Sequence, residues 1–502
     1  MAEDKPSNAA VVTTDQREQR LEKLARLRAS GVDPYPAHFH PTHTTAQALA
    51  AFEEAEASGG TVRATVGGRL VAIRVMGKST FAHIADGTGR LQIYLRIDEV
   101  GSEAYERFTR DLDLGDFVGV TGEMFRTRTG EATLRVEEYT LLAKALRPLP
   151  SKWHGLRDVE LRYRQRYLDL IANPDVRRIF EVRTRLVTAV RQLLDERGFM
   201  EVETPILQPI YGGAAARPFT TYHNELETTL YLRIADELYL KRLIIGGFDR
   251  VYEIGKDFRN EGISYKHNPE FTQLEAYQAY ADYHDMMRLV EEVWSEAAVR
   301  VLGEPVVERA GHRIDLTPPW RRITMRDAIL ERTGIDIEAH RDLPSLQAAM
   351  AERRLQTDPQ PTWGRQVDEL FATFVEANLI EPTFIIDYPV EISPLAKRKP
   401  GAPHLVERFE FFIGGLELGN AFSELNDPID QRERFLAQYR DLTAGDEEAH
   451  PIDEAFLTAL EYGMPPTGGV GWGIDRMTML FTGQTSIREV ILFPQLRSKD
   501  GE

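Results

Sequence analysis

The chain has 502 residues, a formal net charge of −18 and no cysteine. This length allows about two or three domains, and the lack of cysteine excludes disulfides, thiolate metal sites and cysteine catalysis. The acidic balance argues against a protein that coats nucleic acid non-specifically. No signal-peptide pattern opens the sequence, and no apolar run reaches the roughly 18 residues of a membrane span. We therefore expect a cytoplasmic protein with no membrane or DNA partner.

Residues 1–60 are predicted to form a polar tail and one amphipathic helix. Residues 1–15 are small and polar, which is typical of disorder. From residue 15 to residue 30, leucines at helical spacing lie among charged side chains, which predicts a helix. These leucines are Leu21, Leu24 and Leu27.

Residues 61–145 alternate between apolar and polar side chains and contain several glycine turns. About five short strands with one helix, from Glu103 to Asp111, are typical of an OB-fold barrel. Residues 61–150 hold 13 Lys and Arg against 12 Asp and Glu, so nearly all the negative charge lies elsewhere. Such barrels stack the bases of single-stranded nucleic acid on aromatic rings, and Phe81 is the candidate ring. Its spacing fits a core position equally well.

Residues 146–172 are predicted to be a proline-containing linker followed by a charged hinge helix, whose arginines form salt bridges. Residues 173–502 then form a second domain. A long helix from Asp175 to Arg197 precedes a strand from Phe199 to Leu207. Residues 305–380 are predicted to form a mostly helical insertion in this domain.

Two predicted antiparallel strands over residues 251–280 are joined by a long polar loop. A guanidinium binds phosphate oxygens bidentately, and an aromatic face can stack on a flat base. A hairpin whose charges simply face water is the alternative. The side chains that favour a nucleotide site here are Arg259, Glu261, Lys266, His267, Phe271 and Glu275.

Three carboxylates, Glu410, Glu417 and Glu424, are spaced seven residues apart. We expect the Gly414–Gly415 turn to bring the first two together. Converging carboxylates with no nearby Lys or Arg favour a cation between them, and oxygen ligands favour Mg²⁺ held together with phosphates. Downstream, glycines predict a strand with one bare face, followed by a helix that starts at Asp475 and Arg476. These glycines are Gly468, Gly469, Gly471 and Gly473.

Three segments resemble, in order, the motifs of the class II aminoacyl-tRNA synthetases. Residues 175–207 resemble motif 1, FRNEGISYKHNPEFT at residues 258–272 resembles motif 2, and residues 461–481 resemble motif 3. The long form of motif 2 is closest to that of the lysyl enzymes. Residues 61–145 are similar to the anticodon-binding domain of the lysyl, aspartyl and asparaginyl enzymes. The resemblance implies an α+β protein, an OB-fold barrel plus a catalytic antiparallel sheet flanked by helices.

The resemblance also implies a reaction, in which L-lysine is activated by ATP to lysyl-adenylate and transferred to the 3′ end of tRNA(Lys). It implies Mg²⁺ and a homodimer formed through motif 1. ATP is expected at Arg259, Glu261, His267, Phe271, Gly473 and Arg476, with Arg259 and Arg476 catalytic. Lysine is expected at Gly213, Glu237, Glu275, Tyr277, Asn420 and Glu424, and Mg²⁺ at Glu410 and Glu417. The anticodon is expected at Arg74, Phe81, Gln92 and Glu131.

Three alternatives stay open. A paralogue that attaches lysine-like groups to a protein would resemble only the catalytic domain, so the OB-like segment argues against it. An aspartyl or asparaginyl enzyme is opposed by the motif 2 loop. The aspartyl enzyme would also need cations at the base of its pocket, and none occurs in residues 273–280. A non-catalytic nucleic-acid-binding relative would have no need for intact Arg259, Arg476, Glu410 and Glu417.

Overall fold

The computed structural model describes residues 8–150, 156–443 and 451–497. The chain divides into two compact units, one ending at Arg157 and the other beginning at Asp158. Within the described ranges, the structure has no helix that is both long and apolar enough to cross a membrane. The predicted α+β class is confirmed, because the first unit contains a β-barrel and the second an antiparallel sheet with helices.

The first unit is a closed five-stranded barrel with helices. Its elements are α1 (Asn8–Ala29), α2 (Thr45–Ala57), β1 (Arg63–Met76), β2 (Ser79–Ala85), β3 (Arg90–Arg96), α3 (Ile97–Val100), α4 (Ser102–Asp111), β4 (Phe117–Arg126) and β5 (Ala132–Ala143). The strands close in the order β1-β2-β3-β5-β4. Alternate side chains of each strand point inward, and Val66, Ile84, Ile93, Val120 and Val136 fill the interior. The predicted OB-fold is thus confirmed.

The N-terminal helices differ from the prediction. Helix α1 already begins at Asn8, inside the segment expected to be disordered, and residues 1–7 lie outside the described residues. Helix α2 is an element that the leucine spacing does not predict. Thr44 and Gln47 form a capping box at its start, in which each side chain accepts a hydrogen bond from the other residue's backbone N–H. This Thr-x-x-Gln pattern is the signal of a helix start that the sequence contains here.

The second unit is built on one large sheet. Its first elements are α5 (Val159–Arg164), α6 (Arg166–Ala172), α7 (Pro174–Glu196), β6 (Met200–Glu201), β7 (Leu207–Gln208), β8 (Thr220–His223), β9 (Thr228–Leu232), α8 (Glu237–Ile245), β10 (Arg250–Phe258), β11 (Glu270–Ala279) and α9 (Tyr283–Leu302). Then come β12 (Val306–Arg309), β13 (His312–Asp315), β14 (Arg321–Thr324), α10 (Met325–Thr333), α11 (Leu343–Glu352), α12 (Trp363–Phe374) and β15 (Thr383–Pro389). The last are β16 (Arg398–Lys399), β17 (Ala402–Ile413), β18 (Leu416–Ser423), α13 (Pro428–Thr443), α14 (Glu454–Glu461), β19 (Thr467–Gly473), α15 (Ile474–Phe481) and α16 (Ile487–Val490).

The large sheet has the strand order β14-β15-β17-β18-β19-β11-β10-β6, with β16 also paired to β17. All neighbours are antiparallel except β14–β15 and β10–β6. Helices α7, α9 and α15 share one hydrophobic core with the central strands, including the fully buried Trp294 and Trp472. A second core lies around α8, α10, α12 and α14. The central strands are therefore held rigidly, which is what a positioned site requires.

Three predicted elements of the second unit differ in the structure. The hinge helix is two short helices, α5 and α6, that break at Gln165, and its arginines do form ion pairs with Asp169. The strand expected from Phe199 to Leu207 is two short strands, β6 and β7, in different sheets. Pro205 between them has no N–H to donate to a ladder. The expected insertion opens with strands β12 to β14, and β14 is an edge of the large sheet.

Candidate active site

A cavity of about 480 Å³ lies over the central strands of the second unit. The residues expected at the ATP, lysine and Mg²⁺ sites lie far apart along the chain, and all of them line it. They are Gly213, Glu237, Arg259, Glu261, His267, Phe271, Glu275, Tyr277, Glu410, Glu417, Asn420, Glu424, Gly473 and Arg476.

Strand register explains why distant residues meet. Glu410 on β17 pairs with Asn420 on β18, Asn420 with Gly471 on β19, and Gly471 with Glu275 on β11. Directly opposite residues share one face of a sheet, so these four form a row across the cavity floor. Gly471 has no side chain in the middle of that row, and a Cβ there would meet Gln273 Nε2 at 3.2 Å and Glu275 Cγ at 3.4 Å.

One end of the cavity is acidic. Glu237, Glu275 and Glu424 are all buried there. The Tyr277 hydroxyl donates to Glu275 Oε2 at 3.0 Å, and Gln273 Nε2 donates to Glu275 Oε1 at 2.9 Å. Burial, together with the negative charges of Glu237 and Asp257, raises the pKa of Glu275 to about 8. This end is therefore short of positive charge, and an ammonium group of a ligand would supply it.

The base of this pocket contains a buried cation from another element, although none occurs in residues 273–280. Lys241 on α8 is fully buried and forms ion pairs with Glu237 and Glu424. Despite its burial, these two carboxylates raise the pKa of Lys241, so it is charged. The i, i+4 spacing of Glu237 and Lys241 in ELYLK was the available signal.

The bare strand β19 makes room for the acidic side chains and for a ligand. A Cβ at Gly469 would overlap Glu424 Oε1, so no larger residue fits there. A Cβ at Gly473 would meet only Arg476, at 3.9 Å, which leaves this end of the strand open to the cavity. Gly213 has a φ of +92° and lies against Glu237, a backbone conformation that favours glycine.

The other end of the cavity holds arginines around an aromatic ring. The Arg259 guanidinium lies 5.1 Å from the ring centroid of Phe271, and Arg476 Nη1 donates to the Glu417 carbonyl at 2.7 Å. Burial and the charges of Arg476 and Lys266 lower the pKa of His267 to about 4. At pH 7 this imidazole is neutral, so it can meet a phosphate only as a neutral donor.

The expectation that Glu410 and Glu417 lack nearby cations is wrong. Arg408 Nη2 donates to Glu410 Oε1 at 2.7 Å, and Arg476 Nη1 donates to Glu417 Oε2 at 3.1 Å. Arg408 also donates to Asn420 Oδ1 at 2.9 Å. It lies two residues before Glu410 and therefore on the same face of β17, which is how the sequence could have revealed it.

The two carboxylates nevertheless suit a hard cation. Burial, and to a smaller extent the charge of Glu417, raise the pKa of Glu410 to about 8, although Arg408 lowers it. The positive charge of Arg408 therefore does not fully offset the cost of ionising Glu410. In the part of the chain that the structure describes, no group of three or more His, Cys, Asp or Glu could hold a metal alone. A Mg²⁺ ion at Glu410 and Glu417 would therefore take its remaining oxygens from a phosphate ligand or water.

Asp475, a residue to which the sequence analysis gave no role, joins the three motifs. Its Oδ1 accepts a hydrogen bond from Arg183 of α7 at 2.6 Å, and its Oδ2 accepts one from the Thr272 N–H of β11 at 2.7 Å. Arg183 also donates to Thr272 Oγ1 at 3.1 Å. The start of α15 is thus fixed to both the long helix and the hairpin strand.

The barrel carries a separate polar and aromatic patch. Phe81 is half-buried on the outer face and contacts Tyr94, with ring centroids 4.4 Å apart and the rings tilted by 31°. Gln92 Nε2 donates to Glu131 Oε2 at 2.7 Å. Arg74, which is exposed, pairs with Phe81 across β1 and β2. Arg74, Phe81 and Gln92 therefore lie on the neighbouring strands β1, β2 and β3, and Glu131 directly precedes β5. The core alternative for Phe81 does not apply.

Comparison with known proteins identifies the family. The family model described as tRNA synthetases class II (D, K and N) matches residues 158–497, and an OB-fold nucleic acid binding domain matches residues 64–142. The chain belongs to the class II tRNA synthetases. A lysine–tRNA ligase of Chloroflexus aurantiacus is 58% identical over 489 residues, covering 97% of this chain and 99% of that protein. One of Roseiflexus sp. strain RS-1 is 57% identical, covering 96% of this chain and 99% of that protein.

More distant relatives carry the same name. A lysine–tRNA ligase of Dehalococcoides mccartyi is 52% identical over 485 residues, covering 96% of this chain and 97% of that protein. Class II synthetase motifs thus account for the hairpin of β10 and β11, the glycine strand β19 and the long helix α7. The OB-fold match coincides with the barrel that carries the Phe81 patch.

Proposed function

We propose that this protein is a lysine–tRNA ligase, which activates L-lysine with ATP and transfers the lysyl group to the 3′ end of tRNA(Lys). The observation that carries the proposal is the charge separation within one cavity. Three buried carboxylates lie at one end, and Arg259 and Arg476 lie at the other. A substrate with two ammonium groups and one reacting carboxylate fits between them.

The amino acid lies along the row that crosses the sheet. Glu237, beside the Gly213 backbone, binds the α-ammonium. Glu275, oriented by Tyr277, binds the ε-ammonium together with Glu424. Asn420, which Arg408 holds at 2.9 Å, lies between the two ends and positions the substrate carboxylate.

The nucleotide occupies the arginine end. Phe271 and the open face at Gly473 enclose the adenine, and Glu261 accepts from its amino group. Arg259 binds the α-phosphate, where negative charge increases as the lysine carboxylate attacks. Arg476 and neutral His267 bind the leaving phosphates. Glu410 and Glu417 would hold Mg²⁺, which supplies charge neutralisation of the pyrophosphate when bound.

Catalysis then consists of positioning and charge stabilisation. A carboxylic acid is already ionised at pH 7, so its attack on phosphorus requires no general base. Arg259 and Arg476 meet charge that grows in the transition state, and preorganised groups of this kind supply most of the acceleration in such sites. The hydrogen bonds of Asp475 keep the hairpin and the helix of Arg476 in fixed relation.

The barrel and the long helix take further roles. Phe81 stacks on an anticodon base, and Gln92, Glu131 and Arg74 contact its edges or backbone. The protein forms a two-fold homodimer through residues 175–207, where apolar side chains of the interrupted strand are exposed on a single chain. These side chains are Met200, Ile206 and Leu207. Light scattering that gives twice the chain mass of 57.1 kDa supports the dimer, and the single mass contradicts it.

The decisive experiment is ATP–pyrophosphate exchange with each of the twenty amino acids, without tRNA and then with it. Exchange that depends on lysine alone, in the absence of tRNA, supports both the adenylate chemistry and the acidic pocket. Exchange with aspartate or asparagine would overturn the lysine assignment while keeping the family. Exchange with no amino acid would favour a relative that has lost activation.

A further inference from the structure

A fully buried lysine lies behind the acidic end of the cavity. Lys241 Nζ pairs with Glu237 Oε1 and Glu424 Oε2, and it lies 5.3 Å from the ring centroid of Phe422. Both glutamates line the cavity, whereas Lys241 is not among the described residues that line it. Glu424 Oε1 has no hydrogen-bond partner among the described residues. The ammonium therefore holds one oxygen of each carboxylate, while Glu424 Oε1 is buried against Gly469 without a hydrogen bond among the described residues.

The charges at this end of the cavity do not balance without a ligand. Three buried carboxylates, those of Glu237, Glu275 and Glu424, face one resident ammonium. When all three carboxyls are ionised, two negative charges are left, and L-lysine brings two ammonium groups. Buried charges are stable only when they are paired. An amino acid with one ammonium would leave a buried carboxylate without its counter-charge.

We propose that Lys241 is a positioning residue that sets the specificity of this pocket for a substrate with two ammonium groups. It fixes Glu237 and Glu424 relative to each other, and it balances one of the three carboxylates. The inference rests on the proposed function and adds to it a residue behind the pocket. No bond forms or breaks at Lys241 Nζ.

Removal of the resident ammonium changes the protonation of the pocket. Burial raises the pKa of both Glu237 and Glu424, and Lys241 opposes that rise. Without it, the pKa of both carboxyls rises further, so a proton is held more tightly there and lysine must displace it to bind. The other charged or titratable groups facing these carboxylates stay in place. They are Glu275 and Tyr277 of β11 and Arg408 of β17, while Asp257 of β10 and Arg259 act on the adjoining Glu275.

The test is Lys241→Met in ATP–pyrophosphate exchange. We expect the KM for lysine to rise about 10- to 100-fold, as is typical when a group that orients ligand-binding side chains is lost. The KM for ATP should change less than about twofold. From about pH 7 to 8.5, the KM for lysine should fall more steeply with rising pH than in the native protein. The slope of log KM against pH changes by up to about one, because one more proton is released on binding.

A second readout addresses specificity directly. Norleucine is lysine without its ε-ammonium, and in the native pocket it leaves a buried charge unpaired. The ratio of kcat/KM for lysine over norleucine should fall in Lys241→Met, because a protonated carboxyl tolerates the neutral chain end. Lys241→Arg, which keeps the charge but displaces it, should raise the KM for lysine while keeping the native pH slope.

The barrel provides a matched control. Lys144 is also fully buried, and its Nζ contacts Asp113 and Asp116 at 2.6 and 2.8 Å. Lys144→Met should lower the free energy of unfolding and leave the KM for lysine, its pH slope and the norleucine ratio unchanged. If Lys241→Met does not fold, as judged by circular dichroism, Lys241→Gln takes its place. Lys241→Arg then still allows the KM for lysine and its pH slope to be measured.

Specific results would overturn the inference. One is a folded neutral variant with the native KM for lysine, pH slope and norleucine ratio. Another is an equal loss of kcat/KM towards lysine, norleucine and ATP, which would mean that Lys241 only supports the fold. Lys241→Arg with the native KM for lysine would also contradict a positioning role. Failure of the proposed function is distinguishable, because the wild-type protein itself would then show no lysine-dependent exchange.

Discussion

The two ends of the active-site cavity stabilise charge in different ways. At the acidic end, Glu237, Glu275 and Glu424 are buried, and burial raises the pKa of each carboxyl. At the other end, Arg259 and Arg476 are only half-buried. Arg476 donates to a backbone carbonyl, and Arg259 lies over the Phe271 ring.

This difference indicates what each end is built to receive. The acidic end is short of positive charge, so it gains stability only from a substrate that supplies ammonium groups. The arginines at the other end are positioned by contacts within the protein and stay accessible. This suits ATP, which enters with a metal ion and releases pyrophosphate. Substitutions at the acidic end should therefore act on lysine binding, and those at the arginine end on the rate of activation.

The largest effect is expected for Glu275→Gln. The variant keeps the shape but has one acceptor oxygen where Glu275 has two, and it leaves the ε-ammonium of lysine buried beside a neutral amide. This costs several kcal/mol, about 100-fold or more in kcat/KM for lysine. Lysine-dependent pyrophosphate exchange measures the loss. Glu270→Gln, on the same strand near its exposed start, is the control and should behave as wild type. Near-native exchange by Glu275→Gln would refute the pocket assignment.

Arg259→Met should have a slightly smaller effect of a different kind. Loss of a donor aimed at developing charge lowers kcat by about 100-fold, while the KM for lysine changes less than about threefold because the acidic end is intact. Arg250→Met, at the exposed opposite end of β10, serves as the control in the same exchange assay. A raised KM for lysine with an unchanged kcat would show that the two ends do not divide binding from chemistry.

Phe81→Ala tests the barrel, where the effect should be confined to tRNA. Loss of one stacking platform costs about 1–3 kcal/mol per base, so the KM for tRNA should rise about 5- to 100-fold in aminoacylation. Exchange without tRNA should be unchanged. Phe117→Ala, which removes a half-buried ring under Arg69 on another part of the barrel, is the matched control. Equal effects of the two variants would contradict an anticodon role for Phe81.

Local sequence patterns are sufficient for much of the fold. Alternation of apolar and polar residues predicts the barrel strands, and the chemistry of the hairpin loop singles out Arg259 and Phe271. The break at Gln165 and the division of residues 199–207 between two sheets depend on tertiary pairing, which a local pattern does not contain. Helix α2 is different, since the capping box at Thr44 is a local signal that marks its start.

The partners of the carboxylates depend on long-range contacts instead. Glu410 and Glu417 look free of cations when only the residues between Glu410 and Asn426 are considered. Arg408 lies just before that stretch on the same strand face, but Arg476 reaches Glu417 from 59 residues away. Likewise, Lys241 of α8 meets Glu424, which follows β18, only in the folded protein. Charge pairing across a sheet is decided by register, which resemblance to a motif does not state.

The smallest expected effect is the pH dependence of lysine binding. The pKa of Glu275 is raised to about 8, so in the free protein at pH 7 this carboxyl is mostly protonated and cannot pair with an ammonium. As the pH rises through about 8 the carboxylate forms, and the KM for lysine should fall, by at most about tenfold per pH unit below the pKa. The pKa of Glu410 is also about 8, so the metal end contributes its own dependence. Glu275→Gln separates the two, because its profile keeps only the contribution of the other groups. If the wild type and Glu275→Gln show the same dependence of the KM for lysine on pH, Glu275 is already ionised when lysine binds. The acidic end would then need less additional positive charge than its burial implies.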